Sequence, residues 1–231
     1  MSRKYCIILI LKQKEYIMSL EQYMNNNFKN LSLKSPLFYN WNNGIRFDIG
    51  YLDLWIYAEK KTINYKYAKE GLVRVKSIFE FLFDEEDEIF IVSQRYSDGR
   101  QKIKKQSFCF KNIDNYSNVE SFKIKDPYFD EDNVYSKTEH WHRIMFETKV
   151  KDINYEEFFR HSIEYDFRYR GGVEVYFINK SKNIIFHNYD DRGLDVIAKE
   201  PKALEALYLK YNTWILEYDR VKIAKVFDAL N

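Results

Sequence analysis

The sequence predicts an α+β protein, a mixed and mainly antiparallel sheet with helices packed against it. Three observations carry this expectation. Short apolar runs that alternate, or are rich in β-branched and aromatic residues, recur along the chain, among them GIRFDIG (44–50), EIFIVSQRY (88–96) and VEVYFIN (173–179). Between them, residues 67–83 and 154–167 space their apolar side chains by three and four, the period of one buried helical stripe. The chain then closes on a long apolar-faced stretch opened by Pro201, a residue suited to the first turn of a helix.

The start, MSRKYCIILILKQ, carries an apolar run at 5–11 that reaches only the lower edge of a signal-peptide core and lacks a small-residue cleavage site. It is also too short to cross a bilayer, so no membrane association is expected. Met18 opens MSLEQYMNNNF, which reads as a chain start before a short helix. Residues 1–17 are therefore expected to be an N-terminal extension or edge strand that contributes little. GIRFDIG and LWIYAE (54–59) read as strands, with a hairpin through 50–53. In the helix of 67–83, Ala68, Leu72, Val75, Ile78, Phe79 and Leu82 form the inward stripe. EIFIVSQRY and QSFCFKN (106–112) read as two strands joined across Ser97-Asp98-Gly99, a turn-forming tripeptide.

The second half replays this order. IMFETKV (144–150) is a strand. The helix of 154–167 turns Phe158, Ile163 and Phe167 inward, and VEVYFIN with NIIFHNY (183–189) forms a hairpin. The tripeptide INY opens both helices, at 63–65 and at 153–155. The helix-to-strand interval is four residues shorter in the second copy, a loss of about one turn that keeps the same face inward. The chain thus divides into the extension (1–17), a first α+β module (18–113), an acidic, turn-rich surface connection (114–139) and a second module with C-terminal helices (140–231), together one compact unit. The closing helices are expected to break near Tyr218–Arg220.

Composition limits function. At 231 residues the chain can bury a core without disulfide or metal staples. A formal charge of +2 is too near balance for the broad basic field that non-specific nucleic-acid binding requires. The charges are instead sorted locally, with DEEDE at 84–88 followed by a basic run from Arg95 to Lys111. Twenty tyrosines offer contact residues, although AT-rich coding produces the same excess, so the count alone does not mark an interface. Cys6 and Cys109 lie in apolar runs without disulfide or metal spacing, which fits a reducing cytoplasm.

The candidate site is HNYDDRGLDVIA (187–198), where Asp190, Asp191, Arg192 and Gly193 separate two strand-like runs and Asp195 follows. Aspartate caps turn amides and glycine accepts positive φ. The fork of Arg192 is expected to pair with Asp219 or Glu217, clasping the last strand pair to the terminal helices near Tyr218, Asp219 and Arg220. Alternatively, Asp190, Asp191, Asp195 and Asp219 could bind a divalent cation through oxygen ligands. No histidine falls at a diagnostic offset, so no metal or cofactor is expected. His140 and His142 in EHWHR alternate onto one side of a strand without a third ligand. His161 and His187 have no serine or cysteine context for a triad, and Cys109 between two phenylalanines reads as packing. Arg95, Arg100, Lys102, Lys104, Lys105 and Lys111, interleaved with aromatics, read as a solvated hairpin face or, less simply, a nucleic-acid-binding hairpin. No glycine-rich phosphate loop marks a nucleotide enzyme.

DDRGLDVIA at 190–198, ALYLKYNTWILEYDR at 206–220 and PLFYNWNNGIRFDIG at 36–50 resemble the signatures of an uncharacterised bacterial domain-of-unknown-function family. The resemblance spans most of the chain from Pro36 onward and brings no activity, cofactor or catalytic residue with it. Two functional readings stand. One is a cytoplasmic protein that binds another protein, in its sharpest form an immunity or antitoxin protein. The other is a metal-dependent hydrolase or nuclease using Asp190, Asp191 and Asp195, with the basic hairpin as substrate groove.

Overall fold

The structure is a computed structural model that describes residues 19–50, 56–57, 62–97, 107–128, 140–165 and 173–230. Its centre is one seven-stranded sheet built from β1 (Gly44–Asp48), β4 (Glu88–Ser97), β5 (Asn118–Lys125), β6 (His140–Lys149), β7 (Glu174–Asn179), β8 (Ile184–Asn188) and β9 (Gly193–Ala198). The spatial order is β1-β9-β8-β7-β4-β6-β5, and every neighbouring pair is antiparallel. A separate two-stranded piece pairs β2 (Ile56–Tyr57) with β3 (Thr62–Ile63). β4 lies between β7 and β6, so strands from both sides of the 114–139 connection share the sheet.

Strands β8 and β9 are buried along their whole length, which is why both read as near-continuous apolar runs rather than alternating ones. One sheet face is covered by α2 (Tyr65–Leu82), α4 (Tyr155–Ile163) and the closing helices α5 (Glu205–Lys210) and α6 (Arg220–Phe227). At the heart of that layer Phe79 stacks on Phe83 at 4.3 Å and meets the edges of Phe159, Phe177 and Phe186. The opposite face is covered by α1 (Leu20–Asn27) and the chain that follows it, whose Tyr23, Phe28 and Leu37 pack on Phe90, Tyr176 and Ile185. Ser19 and Gln22 form a reciprocal capping box at the start of α1.

The INY tripeptides do open both helices, but unequally. The Asn64 side chain accepts hydrogen bonds from the amides of Lys66 (3.1 Å) and Tyr67 (3.3 Å). Asn154 occupies the same cap position of α4 without a side-chain cap bond. Asn64→Ala is therefore expected to cost about 1 kcal/mol and Asn154→Ala only a few tenths, by urea unfolding. Equal losses would contradict this account.

Several expectations change. QSFCFKN is not a strand: residues Ser107–Lys111 form the short helix α3. Tertiary packing overrides β propensity there, because a strand would send Phe108 and Phe110 to one face. The helix instead fans them apart, Phe108 onto Phe158 and His161, and Phe110 onto Tyr116 and Phe146. The replay of strand, helix, strand, strand thus differs in its last element. The 114–139 connection contains the edge strand β5, mostly exposed as a surface element should be. β1 pairs with β9, and the turn expected at 50–53 runs into residues outside those described. Residues 1–17, with Cys6, also lie outside them. The break in the closing helices spans 211–219 rather than a single point: two short 3-10 turns flank Ile215, which bridges to Phe47.

Candidate functional site

The hairpin β8–β9 turns at Asp190–Arg192. Asp190 Oδ1 accepts the amides of Arg192 (2.8 Å) and Gly193 (2.9 Å), an aspartate-capped turn as the sequence indicates. The role given to Arg192 is corrected. Its guanidinium pairs with Asp190 of its own turn at 2.7 Å, approaches Asp191 at 3.9 Å, and its side chain is 76 % exposed. It does not reach Asp219, and Glu217 pairs with Arg220 instead. A two-residue separation within a tight turn leaves a long side chain nearer its own capping carboxylate than any distant one. The backbone of Arg192 does form a link, its carbonyl accepting the amide of Ile49 at 2.9 Å.

The clasp exists, but Arg46 of β1 forms it. Arg46 Nε donates to the Tyr189 hydroxyl at 3.0 Å and lies 3.5 Å from Asp195 Oδ1, while Nη1 lies 3.6 Å from Asp219 Oδ2. Its guanidinium is 5.1 Å and 5.4 Å from the ring centres of Tyr39 and Tyr189, both within cation–π range. The Tyr39 hydroxyl donates to the Asp219 carboxylate at 3.0 Å, and Asp195 Oδ2 accepts the Phe38 amide at 3.0 Å. Arg46 sits opposite Asp195 in the β1–β9 register, and Asp195 sits opposite His187 in the β9–β8 register. Phe47 bridges Ile215, and the Leu216 amide donates to the Arg46 carbonyl, so the C-terminal chain is tied to the outer edge of β1.

The electrostatics follow from burial. Burial pushes the Asp195 carboxyl up to about 6, opposed by the amide of Phe38 and by Arg46. Burial also lowers the His187 imidazole, whose Nδ1 donates to the Val175 carbonyl and whose ring stacks on Tyr176 at 4.0 Å. Asp191 is raised as well, mainly by burial, and accepts a bond from the Tyr67 hydroxyl at 3.0 Å. Asp190, Asp191 and Asp195 are thus committed to Arg192, Tyr67 and Arg46 respectively. Among the described residues no group of three or more His, Cys, Asp or Glu is placed to hold a metal ion.

The other singled-out residues fall elsewhere. Tyr218 is 86 % exposed. Arg220 staples the break in the closing helices, bonding Glu217 at 2.5 Å and the carbonyls of Asn212 and Ile215 at 3.1 Å. Arg95 is exposed near the end of β4, Lys111 ends helix α3, so the second strand expected for the basic hairpin is not a strand, and Arg100, Lys102, Lys104 and Lys105 lie outside the described residues. His140 pairs with Ser97 through the backbone, and His142 and Cys109 are buried. Burial pushes the Cys109 thiol up to about 11, an inert packing group. The acidic run 84–88 is not an open patch: Glu86 pairs with Lys149 and Lys151, Glu88 with Lys180, and Asp84 and Asp87 with Lys182.

Sequence reasoning missed Arg46, Tyr39, Tyr189 and Tyr67. The available signal was Arg46 itself, a charge in the middle of the alternating GIRFDIG strand on the face opposite Ile45 and Phe47. The three signature stretches quoted above supply most of this cluster: Tyr39 and Arg46 come from 36–50, Asp195 from 190–198 and Asp219 from 206–220. Among the described residues no helix is long and apolar enough to cross a membrane. No solved structure matches the chain. It is similar to the uncharacterized protein YnaE of Bacillus subtilis (strain 168), 30 % identical over 219 residues that cover 87 % of this chain and 99 % of that one. A family model matches residues 20–219, and the chain belongs to that family, the domain of unknown function DUF3885.

Proposed function

We propose that this is a cytoplasmic protein that works by binding another protein, and that the binding face is the outward side of α6 together with Tyr39. One observation carries the reading. Tyr218, Val221, Lys222 and Lys225 recur at helical spacing on the side of α6 opposite buried Ile223 and Phe227, and Val221 is 69 % exposed. Tyr39, 46 % exposed, adjoins them, with Lys222 Nζ 5.2 Å from its ring centre. Among the described residues neither lysine pairs with an acid, in contrast to the lysines that neutralise the run 84–88. Two exposed tyrosines and an exposed valine on one face are contact residues of the kind enriched at interfaces, and the two lysines beside them would steer an acidic partner. Beneath it, Arg46 pairs with Asp195 and Asp219 and donates to the Tyr189 hydroxyl, as a support would.

The sharpest form is an immunity or antitoxin protein, in which this face holds a harmful partner inactive. A photo-crosslinking amino acid at position 221, with position 86 as control, tests both levels. A defined protein adduct at 221 alone is expected. Tyr218→Ala should weaken binding of that protein by tenfold or more, about 1.4 kcal/mol, while changing stability by less than about 0.5 kcal/mol. The immunity form further requires that the captured protein arrest growth when produced without this chain. No adduct at 221, or equal adducts at both positions, would overturn the reading.

A further inference from the structure

Arg46 serves two buried carboxylates. Asp195 is fully buried and Asp219 is 4 % exposed, so with both ionised the set carries one more negative than positive charge. The groups facing Asp195 do not supply the missing positive charge. From β1 comes Arg46 itself; from β8, His187, whose charged form burial disfavours; from the turn, the Tyr189 hydroxyl; from residues 37–39, the Phe38 amide and Tyr39; from the C-terminal chain, Asp219, a like charge. Lys222 is turned to the rings of Phe38 and Tyr39. One proton makes the set neutral, and a low dielectric favours the neutral state.

We propose that the Arg46–Asp195–Asp219 cluster is a one-proton switch: a proton taken up by Asp195 leaves Arg46 to bind Asp219 alone, tightening the tie between β1 and the closing helices, and its loss loosens that tie. The proton comes from solvent and is taken up by Asp195, the fully buried member of the pair. The raised Asp195 carboxyl puts the transition in mildly acidic solution. The tied elements are named by geometry: the Leu216 amide on the Arg46 carbonyl at 2.9 Å, Ile215 bridged to Phe47, and Tyr39 on Asp219. Asp219 lies between Tyr218 and Arg220 at the head of α6, so the switch acts on the face assigned to partner binding. That consequence rests on the proposed function, whereas the switch itself does not.

Hydrogen exchange on the full chain tests it. Protection factors of the Leu216 and Asp219 amides, corrected for intrinsic exchange, are expected to be roughly tenfold higher near pH 5 than near pH 7.5, and this difference should vanish in Asp195→Asn. As a check that needs no variant, the side-chain carboxyl resonance of Asp195 should titrate between about pH 5 and 7. Equal protection at both pH values, or a midpoint near the ordinary carboxylate value, would overturn the switch. A cluster that titrates while adduct yield at position 221 stays constant would overturn only its link to the face. No adduct at any pH would mark failure of the binding reading instead.

Discussion

Replacing Arg46 by alanine is expected to destabilise the protein by roughly 3–5 kcal/mol near neutral pH, measured by urea unfolding. The size follows from what remains rather than from the contacts removed. Asp195 and Asp219 are nearly or wholly inaccessible to water, and without the guanidinium both would be buried anions with only hydrogen-bond donors beside them. The Tyr189 hydroxyl would lose its donor as well.

The pH dependence gives this prediction a second edge. In the wild type the Asp195 carboxyl is raised relative to the unfolded chain, so the stability it contributes is present below its unfolded value near 3.8 and is lost as pH rises through about 6. Removing Arg46 takes away a group that opposes this rise, so the carboxyl titrates higher still. The penalty of Arg46→Ala should accordingly shrink as pH falls from about 7.5 to 5, and adding Asp195→Asn should recover part of it at the higher pH. Glu86, Asp87 and Glu88 are lowered by their lysine partners and pull global stability the other way, losing their contributions as pH falls. For that reason the comparison is between variant and wild type at each pH. A loss below 1 kcal/mol near neutral pH, or one that grows on acidification, would show that Arg46 is not what neutralises this cluster.

The class of fold was legible because its signals are local. Alternation in GIRFDIG, the three-and-four spacing of Val75, Ile78, Phe79 and Leu82, and the closely spaced runs around residues 180–182 each fix an element without reference to the rest of the chain. QSFCFKN misleads because a short run of aromatics around Cys109 is equally apolar as strand or helix, and its shape is set by Phe158 and Phe146 from elsewhere. β5 was missed because turn-rich flanks masked the alternation of Phe122 and Ile124. At the candidate site the residues of the turn were legible, but the partner of Asp219 was not. Which of Arg46, Arg192 and Arg220 reaches Asp219 depends on β1 pairing with β9, a contact about 150 residues apart in sequence that no local pattern encodes. The idea of a clasp between the closing hairpin and the tail therefore survives with a different arginine.

Gly193→Ala is the other substitution with a large expected effect, and its cause is steric rather than conformational. The backbone at Gly193 lies outside the left-handed region, so glycine is not required there for its φ. A Cβ would instead fall 1.7 Å from the Tyr189 hydroxyl oxygen and 2.1 Å from its Cζ, inside the space of the ring. Tyr189 would have to swing away, and its hydroxyl would leave Arg46 Nε. The expected cost is about 2–3 kcal/mol, the upper range for overpacking in a filled interior, because displacement also breaks a hydrogen bond of the cluster. The mechanism predicts strong coupling. Once Tyr189→Ala has removed the ring, adding Gly193→Ala should cost less than about 0.5 kcal/mol, leaving a coupling of more than 1 kcal/mol in the double-mutant cycle. Tyr189→Phe, which keeps the ring and deletes only the hydroxyl, should relieve little of the clash, since the Cζ overlap remains. Additive losses in the Tyr189→Ala cycle would place the strain in the β8–β9 turn itself and separate Gly193 from the Arg46 cluster.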